Sequence, residues 1–231
     1  MKNATVFLKR ILLENYKNVK KGEIPLVRKD ESGACIAGIY GQNGSGKTAI
    51  IDALGLLKNC LRGDPLEPKV GNAFALCINV DSESARLEFE FAIENNDNET
   101  SYKVVYGFSI KKDNSDNSTK LVIYNEKLSY SSKGKDTATK FVDYIDTDSD
   151  TPFVPKAKYD SLIGKDKTKK TNLLVAKKMA EANIASFIFS KEMHEAILPG
   201  ETRSILERLT QYAENELFVI RAAYSGRINL N

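Results

Sequence analysis

Residues 40–54 read YGQNGSGKTAIIDAL. Two patterns meet inside this stretch. Gly41, Gly44 and Gly46 interrupt any regular element, and from residue 47 onward the apolar positions 50, 51, 54, 57 and 61 recur at helical spacing. Residues 41–48, GQNGSGKT, satisfy G-x-x-x-x-G-K-[ST] at every fixed position. The residue types have a physical logic. Glycines let successive backbone N–H groups turn toward one point. The helix that follows presents its positive N-terminal end to the same point. Lys47 adds a full positive charge suited to β- and γ-phosphates, and Thr48 adds a hydroxyl suited to Mg²⁺. The stretch therefore predicts a P-loop for ATP and Mg²⁺. Its nucleotide-binding residues are Gly41, Gln42, Asn43, Gly44, Ser45, Gly46, Lys47 and Thr48, with Thr48 as the metal ligand.

Upstream, residues 35–40 (CIAGIY) form a short continuous apolar run, which predicts a strand buried on both faces and leading into the loop. Residues 6–13 and 24–27 predict two more strands, and Pro25 places the second at an edge or strand end. Downstream, residues 62–72 carry the Pro and Gly of a loop. Leu87, Phe89, Phe91 and Ile93 then alternate with Arg86, Glu88, Glu90 and Ala92, and Tyr102, Val104, Tyr106, Phe108 and Ile110 alternate in the same way. Leu121, Ile123, Leu128 and Tyr130 mark a further strand, and residues 140–145 another. The gaps between these strands are short, polar and without helical period. Parallel strands need longer crossovers, so residues 85–145 predict an antiparallel meander with one wet face.

After Pro155 the pattern changes. Residues 164–172 (GKDKTKKTN) read as a basic, polar loop. Leu173, Ala176, Ala180, Ile184, Phe187 and Ile188 predict a helix ended by Pro199 and Gly200; Ile205, Leu206, Leu209 and Ala213 predict a second, with Thr202 as its N-cap. The chain divides into residues 1–155, carrying the P-loop and the sheet, and a helical segment, residues 156–231.

Composition excludes several classes. Hydrophobic residues make up 42% and charged residues 28%, the balance of a globular protein and not of a disordered one. No apolar stretch approaches a membrane span, and the N-terminus lacks the form of a signal peptide, which points to the cytoplasm. Cys35, Cys60 and Cys77 are far apart and lack metal-ligand spacing. His194 is the single histidine, which excludes a histidine zinc site. A net charge of +3 permits a nucleic-acid partner without arguing for one.

The residues around the loop resemble the G-x-N-G-S-G-K-[ST]-x-[IL]-x-x-A-[IL] segment of ABC-type, AAA-family ATPase heads. That group includes the RecF, SMC and OLD-like proteins and the ATPases of abortive-infection systems. Asn43 and residues 52–54 (DAL) carry most of the resemblance. The N-terminal ILLENYKN is similar to the family's opening strand, and VIYNEKLSY to a strand with a Glu-x-Leu in the abortive-infection branch. The resemblance implies a P-loop NTPase fold of the α/β class: an ABC-type N-terminal lobe with an antiparallel β-subdomain and C-terminal helices. It also implies that Lys17 and Asn18 reach the nucleotide.

A head of this kind further needs a Walker B strand ending in Asp-Glu and a signature loop. Residues 141–148 (FVDYIDTD), 197–209 (ILPGETRSILERL) and 216–223 (ELFVIRAA) each depart from those patterns, so no catalytic residue is assigned. The expected function is the ATP-binding part of an ABC-type head, hydrolysing ATP only when completed by a longer chain or a partner. A homodimer of full-length heads, DNA or a nuclease effector, and a role in phage defence or DNA maintenance follow from the resemblance. Lys165, Lys167, Lys169 and Lys170 are the candidate DNA contacts. The alternative is a nucleotide-binding regulatory module without hydrolysis.

Overall fold

The computed structural model describes residues 4–27, 38–42, 44–66, 77–95, 100–113, 120–134, 138–148, 153–155, 158–222 and 228–230. Strands β1 (Thr5–Tyr16), β2 (Val19–Pro25), β3 (Ser84–Asn95), β4 (Thr100–Asp113), β5 (Lys120–Lys133) and β6 (Val142–Asp146) form one sheet in the order β2-β1-β3-β4-β5-β6. Every neighbouring pair is antiparallel, and from β3 to β6 this is what the short polar connections predict. With a side-chain period of two, Leu87, Phe89, Phe91 and Ile93 of β3 and Val104, Tyr106, Phe108 and Ile110 of β4 are all buried on one face. The other face is charged. Arg10 bridges Glu88 at 2.7 Å and Glu90 at 3.2 Å, and Lys103 meets Glu90 at 3.1 Å. Such partly exposed pairs contribute roughly 0–1 kcal/mol each, so the apolar face holds the sheet in place.

Helices cover that apolar face: α1 (Lys47–Arg62), α2 (Tyr159–Leu162), α3 (Lys167–Ala182), α4 (Lys191–Ala196) and α5 (Glu201–Asn215). α5 lies on the sheet through Tyr212, edge-on to Phe91, and on α1 through Thr210, whose hydroxyl donates to the Leu61 carbonyl at 2.9 Å. Buried Arg208 donates to the Ala4 carbonyl at 2.7 Å and pairs with Glu216, tying α5 to the start of β1. The buried apolar residues form one cluster from Ala4 to Leu217. β7 (Ile220–Ala222) and β8 (Ile228–Leu230) make a separate antiparallel pair.

Four local expectations are corrected. Residues 35–37 lie outside the described residues, and 38–40 form no strand; Ile39 is 40% exposed and Tyr40 94%. A strand exists by pairing, and residues 38–40 pair with none of the described strands; both edges of β1 are taken by β2 and β3. The helix expected to run through Ile188 stops at Ala182, and Ile184 sits at φ 53°. Phe187 and Ile188 are buried outside any helix because Glu126 accepts the Phe187 N–H at 2.8 Å, a donor that a continuing helix would use. Most of the expected 164–172 loop belongs to α3, which Asp166 caps by accepting the Thr168 N–H at 2.8 Å. Thr202 is not a cap. It lies inside α5 with its hydroxyl 2.9 Å from that of Tyr130, and Gly200 occupies the cap position.

Candidate functional site

α1 begins in a backbone conformation that only glycine adopts freely. Gly44 has φ 85° and Gly46 φ 92°. Gly46 has a second constraint: a Cβ there would stand 2.8 Å from the Val19 side chain. No side chain caps α1, and its first turn holds no acidic residue. Its leading N–H groups thus have no capping side chain among the described residues, the arrangement that accepts an anion.

The Lys47 ammonium folds back over the loop, 2.5 Å from the Gly41 carbonyl, 2.6 Å from that of Gln42 and 3.4 Å from the Ser45 hydroxyl. The Ser45 N–H closes a tight turn onto the Gln42 carbonyl at 3.2 Å. A cavity of about 120 Å³ opens here, lined by Asn18, Gly44, Gly46, Lys47 and Thr48. Asn43 lies outside the described residues.

The β1–β2 turn braces this loop. The Asn18 amide donates to the Gly44 carbonyl, so Asn18 stands in the cavity wall. Lys17 turns instead to α1 and pairs with Asp52. The turn is itself held: the Lys17 N–H donates to the Cys77 carbonyl at 2.9 Å, and Asn79 donates to the Lys17 carbonyl at 2.8 Å. Lys17 and Asn18 are thus brought beside the loop, but through different contacts. Asp52 and Val19 were missed as site residues. Asp52 lies four residues after Thr48, on the same side of a helix, and that spacing was the available signal.

The residues fit a triphosphate better than they fit a complete metal site. Thr48 is exposed in the cavity wall and offers one hydroxyl, while the carboxylate one turn on, Asp52, is engaged by Lys17. Among the described residues no group of three or more His, Cys, Asp or Glu side chains is placed to hold a metal. Asp143 and Asp146 sit on β6, where Asp143 accepts the Ser129 hydroxyl at 2.6 Å and Asp146 meets Lys127 at 2.8 Å. β6 is four strand positions from β1, about 19 Å at the usual spacing. In the segment 216–223, Phe218 is 68% exposed and Ile220 52%, unlike a buried Walker B strand.

A family model described as an AAA domain matches residues 10–217. The chain belongs to the AAA-domain family. As an AAA domain it is an ATP-binding domain of mixed α/β architecture, and the matched interval contains the glycine-rich loop and α1 through α5. Among solved structures, that of the recombination mediator protein RecF-ATP in the RecFOR pathway is similar at a TM-score of 0.32 and 16% identity, covering 90% of this chain and 51% of that one. The chain thus spans about half the length of that structure. No curated protein matches it. No helix among the described residues is long and apolar enough to cross a membrane.

Proposed function

We propose that ATP binds through residues 41–48, its phosphates on the loop amides and the first turn of α1, with Lys47 on the β- and γ-phosphates. The observation that carries this reading is the uncapped start of α1, where Gly44, Gly46, Lys47 and Thr48 line one cavity. Asn18, in the same wall, lies at the edge of the nucleotide, and Lys17 reaches it on release from Asp52. Thr48 is the protein ligand for Mg²⁺, which when bound neutralises phosphate charge.

Residues 1–155 act as the nucleotide-binding lobe of an ABC-type head, and residues 156–231 lead toward a further lobe. Turnover then requires Walker B and signature elements from a longer chain or a partner. The carboxylates of β6 support this reading, since both are occupied and stand at the far edge of the sheet from β2. The same observation favours a second reading, a regulatory module that binds nucleotide without hydrolysing it. A homodimer of full-length heads with ATP between them, a DNA or nuclease partner, and a cytoplasmic role in phage defence or DNA maintenance complete the proposal on the strength of the sequence resemblance.

Calorimetry tests the binding step. Lys47→Ala removes a charge-assisted contact worth roughly 1.5–3 kcal/mol, so ATP affinity falls more than about tenfold. Equal affinity in both proteins refutes the site. Steady-state phosphate release from this chain alone, abolished by Lys47→Ala, refutes its dependence on outside elements.

A further inference from the structure

Glu126 is 3% exposed, and each hydrogen bond to its carboxylate comes from a donor. Its Oε1 accepts the Tyr106 hydroxyl at 2.7 Å and the Ser186 hydroxyl at 2.6 Å; its Oε2 accepts the Phe187 N–H at 2.8 Å, and the Ile188 N–H also reaches it. Donors, and no cation among the described residues, hold this carboxylate. It reaches the interior through a backbone irregularity. Asn125 sits at φ 51°, opposite a register shift between Gly107 and Ser109 of β4. The shift turns even-numbered residues of β5 inward, and Glu126 with them.

The segment that Glu126 holds is the wall against which α1 ends. A Cβ on Gly63, just past α1, would lie 2.5 Å from the Phe189 carbonyl oxygen. The Leu66 N–H donates to the Ile184 carbonyl at 2.9 Å. Phe189 stands edge-on to Tyr106, with ring centroids 5.1 Å apart. Tyr106 also lies against the Cys60 thiol on the last turn of α1. Glu126 therefore reaches the end of α1 by two routes, through residues 186–189 and through Tyr106.

We propose that Glu126 is a positioning residue for the phosphate-binding loop: by fixing the wall at residues 186–189 it sets the direction of α1, and so the place where the loop and Lys47 meet the turn at Asn18. The proposal rests on the ATP reading of the loop. The lever is long, because Gly46 to Cys60 spans about 21 Å and a tilt of about 5° at the buried end moves the loop by about 2 Å. The contacts at the loop end, Asn18 to Gly44 and Lys17 to Asp52, are partly solvent-exposed and too weak to fix that direction alone.

The test is ATP calorimetry on wild type, Glu126→Gln, Tyr106→Phe and a control, Ile93→Ala, each well below its own melting temperature. The control removes buried apolar volume from β3, in a residue that makes no contact named in the wall. Glu126→Gln turns an amide donor toward donors, and ATP affinity is expected to fall roughly three- to tenfold. Hydrogen exchange in the first turn of α1 is expected to speed up with it. Tyr106→Phe breaks the route through Tyr106 and its 3.2 Å contact with the Ser186 hydroxyl but leaves Glu126 bound to Ser186 and Phe187, and ATP affinity is expected to fall about twofold, a smaller loss in the same direction. Ile93→Ala is expected to lose stability with affinity unchanged. Wild-type affinity and exchange in folded Glu126→Gln overturn the proposal, as does an equal loss in the control. Should Glu126→Gln not fold, wild-type affinity and exchange in Tyr106→Phe overturn it. Wild type that fails to bind ATP overturns the ATP reading itself, and this proposal with it.

Discussion

At its first turn α1 carries no capping side chain, follows two glycines of positive φ, and opens onto a cavity walled by Asn18, Lys47 and Thr48. At its last turn Cys60 and Leu61 are fully buried, Gly63 caps the helix by donating to Asn59 and Cys60, and the 186–189 wall stands directly behind. Among the described residues one end has no capping side chain, while at the other the Asn59, Cys60 and Leu61 carbonyls all accept hydrogen bonds. A loop that must offer N–H groups to an anion cannot also satisfy them internally, so its geometry has to be imposed from elsewhere in the molecule. In this chain that constraint sits at the opposite end of the same helix, which gives the comparison a direction: damage at the buried end should cost stability first, and damage at the open end should cost binding first.

The largest effect should come from Glu126→Ala. It strands the Ser186 hydroxyl proton and the Phe187 and Ile188 N–H groups in a dry interior, while the Tyr106 hydroxyl keeps Ser186 as an acceptor at 3.2 Å, for a loss of about 3–5 kcal/mol in denaturant unfolding. A loss below about 1 kcal/mol would mean that water replaces the carboxylate and that the buried end is not sealed. Gly63→Ala comes next. An alanine there must adopt φ 66° and press its Cβ against the Phe189 carbonyl, which together cost about 2–3 kcal/mol of stability. Gly46→Ala is smaller, about 1–2 kcal/mol, because the obstructing atom belongs to a Val19 side chain that can yield. It should lower the unfolding midpoint less than Gly63→Ala does and, in addition, weaken ATP affinity about tenfold in calorimetry. A Gly46→Ala protein that unfolds more readily than Gly63→Ala would reverse the comparison.

The sequence reports the two ends unequally, for physical reasons. Backbone chemistry is local: glycine positions and the Gly-Lys-Thr order fix where α1 starts, and the structure starts it at Lys47. Side-chain alternation likewise marks β3 and β4, since their period is set by the pleat. The buried end depends on partners distant in sequence. Phe187 and Ile188 fit a helical period, yet Glu126, 61 residues before Phe187, takes the N–H that a helix needs. One signal was present: the inward residues of β5 change from odd (Leu121, Ile123) to even (Leu128, Tyr130), and that slip falls beside Glu126. Residues 38–40, the described part of the 35–40 run, form no strand because apolar content marks a tendency to be covered, whereas a strand also needs a pairing partner, and these three residues pair with none of the described strands.

The smallest expected effect tests how dry the buried end is. His194 lies beside Phe189, with ring centroids 6.4 Å apart, and it is the single histidine of the chain. Burial lowers its pKa below 6.5; Glu207 opposes that shift and Arg203 adds to it. An imidazole whose folded pKa lies below its unfolded value binds more protons when unfolded. Its contribution is therefore complete above pH 6.5 and is lost as pH falls through that value toward the folded pKa. His194→Asn should remove this component, so the wild-type and variant stability curves should converge between pH 7 and about 5.5 by less than about 1 kcal/mol. Subtracting the variant removes the carboxylates from the comparison, because Glu126 and the surface acids are common to both proteins. Parallel curves would mean that His194 titrates as in water, and that the wall around Phe189 admits solvent. The stability losses assigned to Glu126→Ala and Gly63→Ala would then have to be smaller, because both depend on that wall being closed.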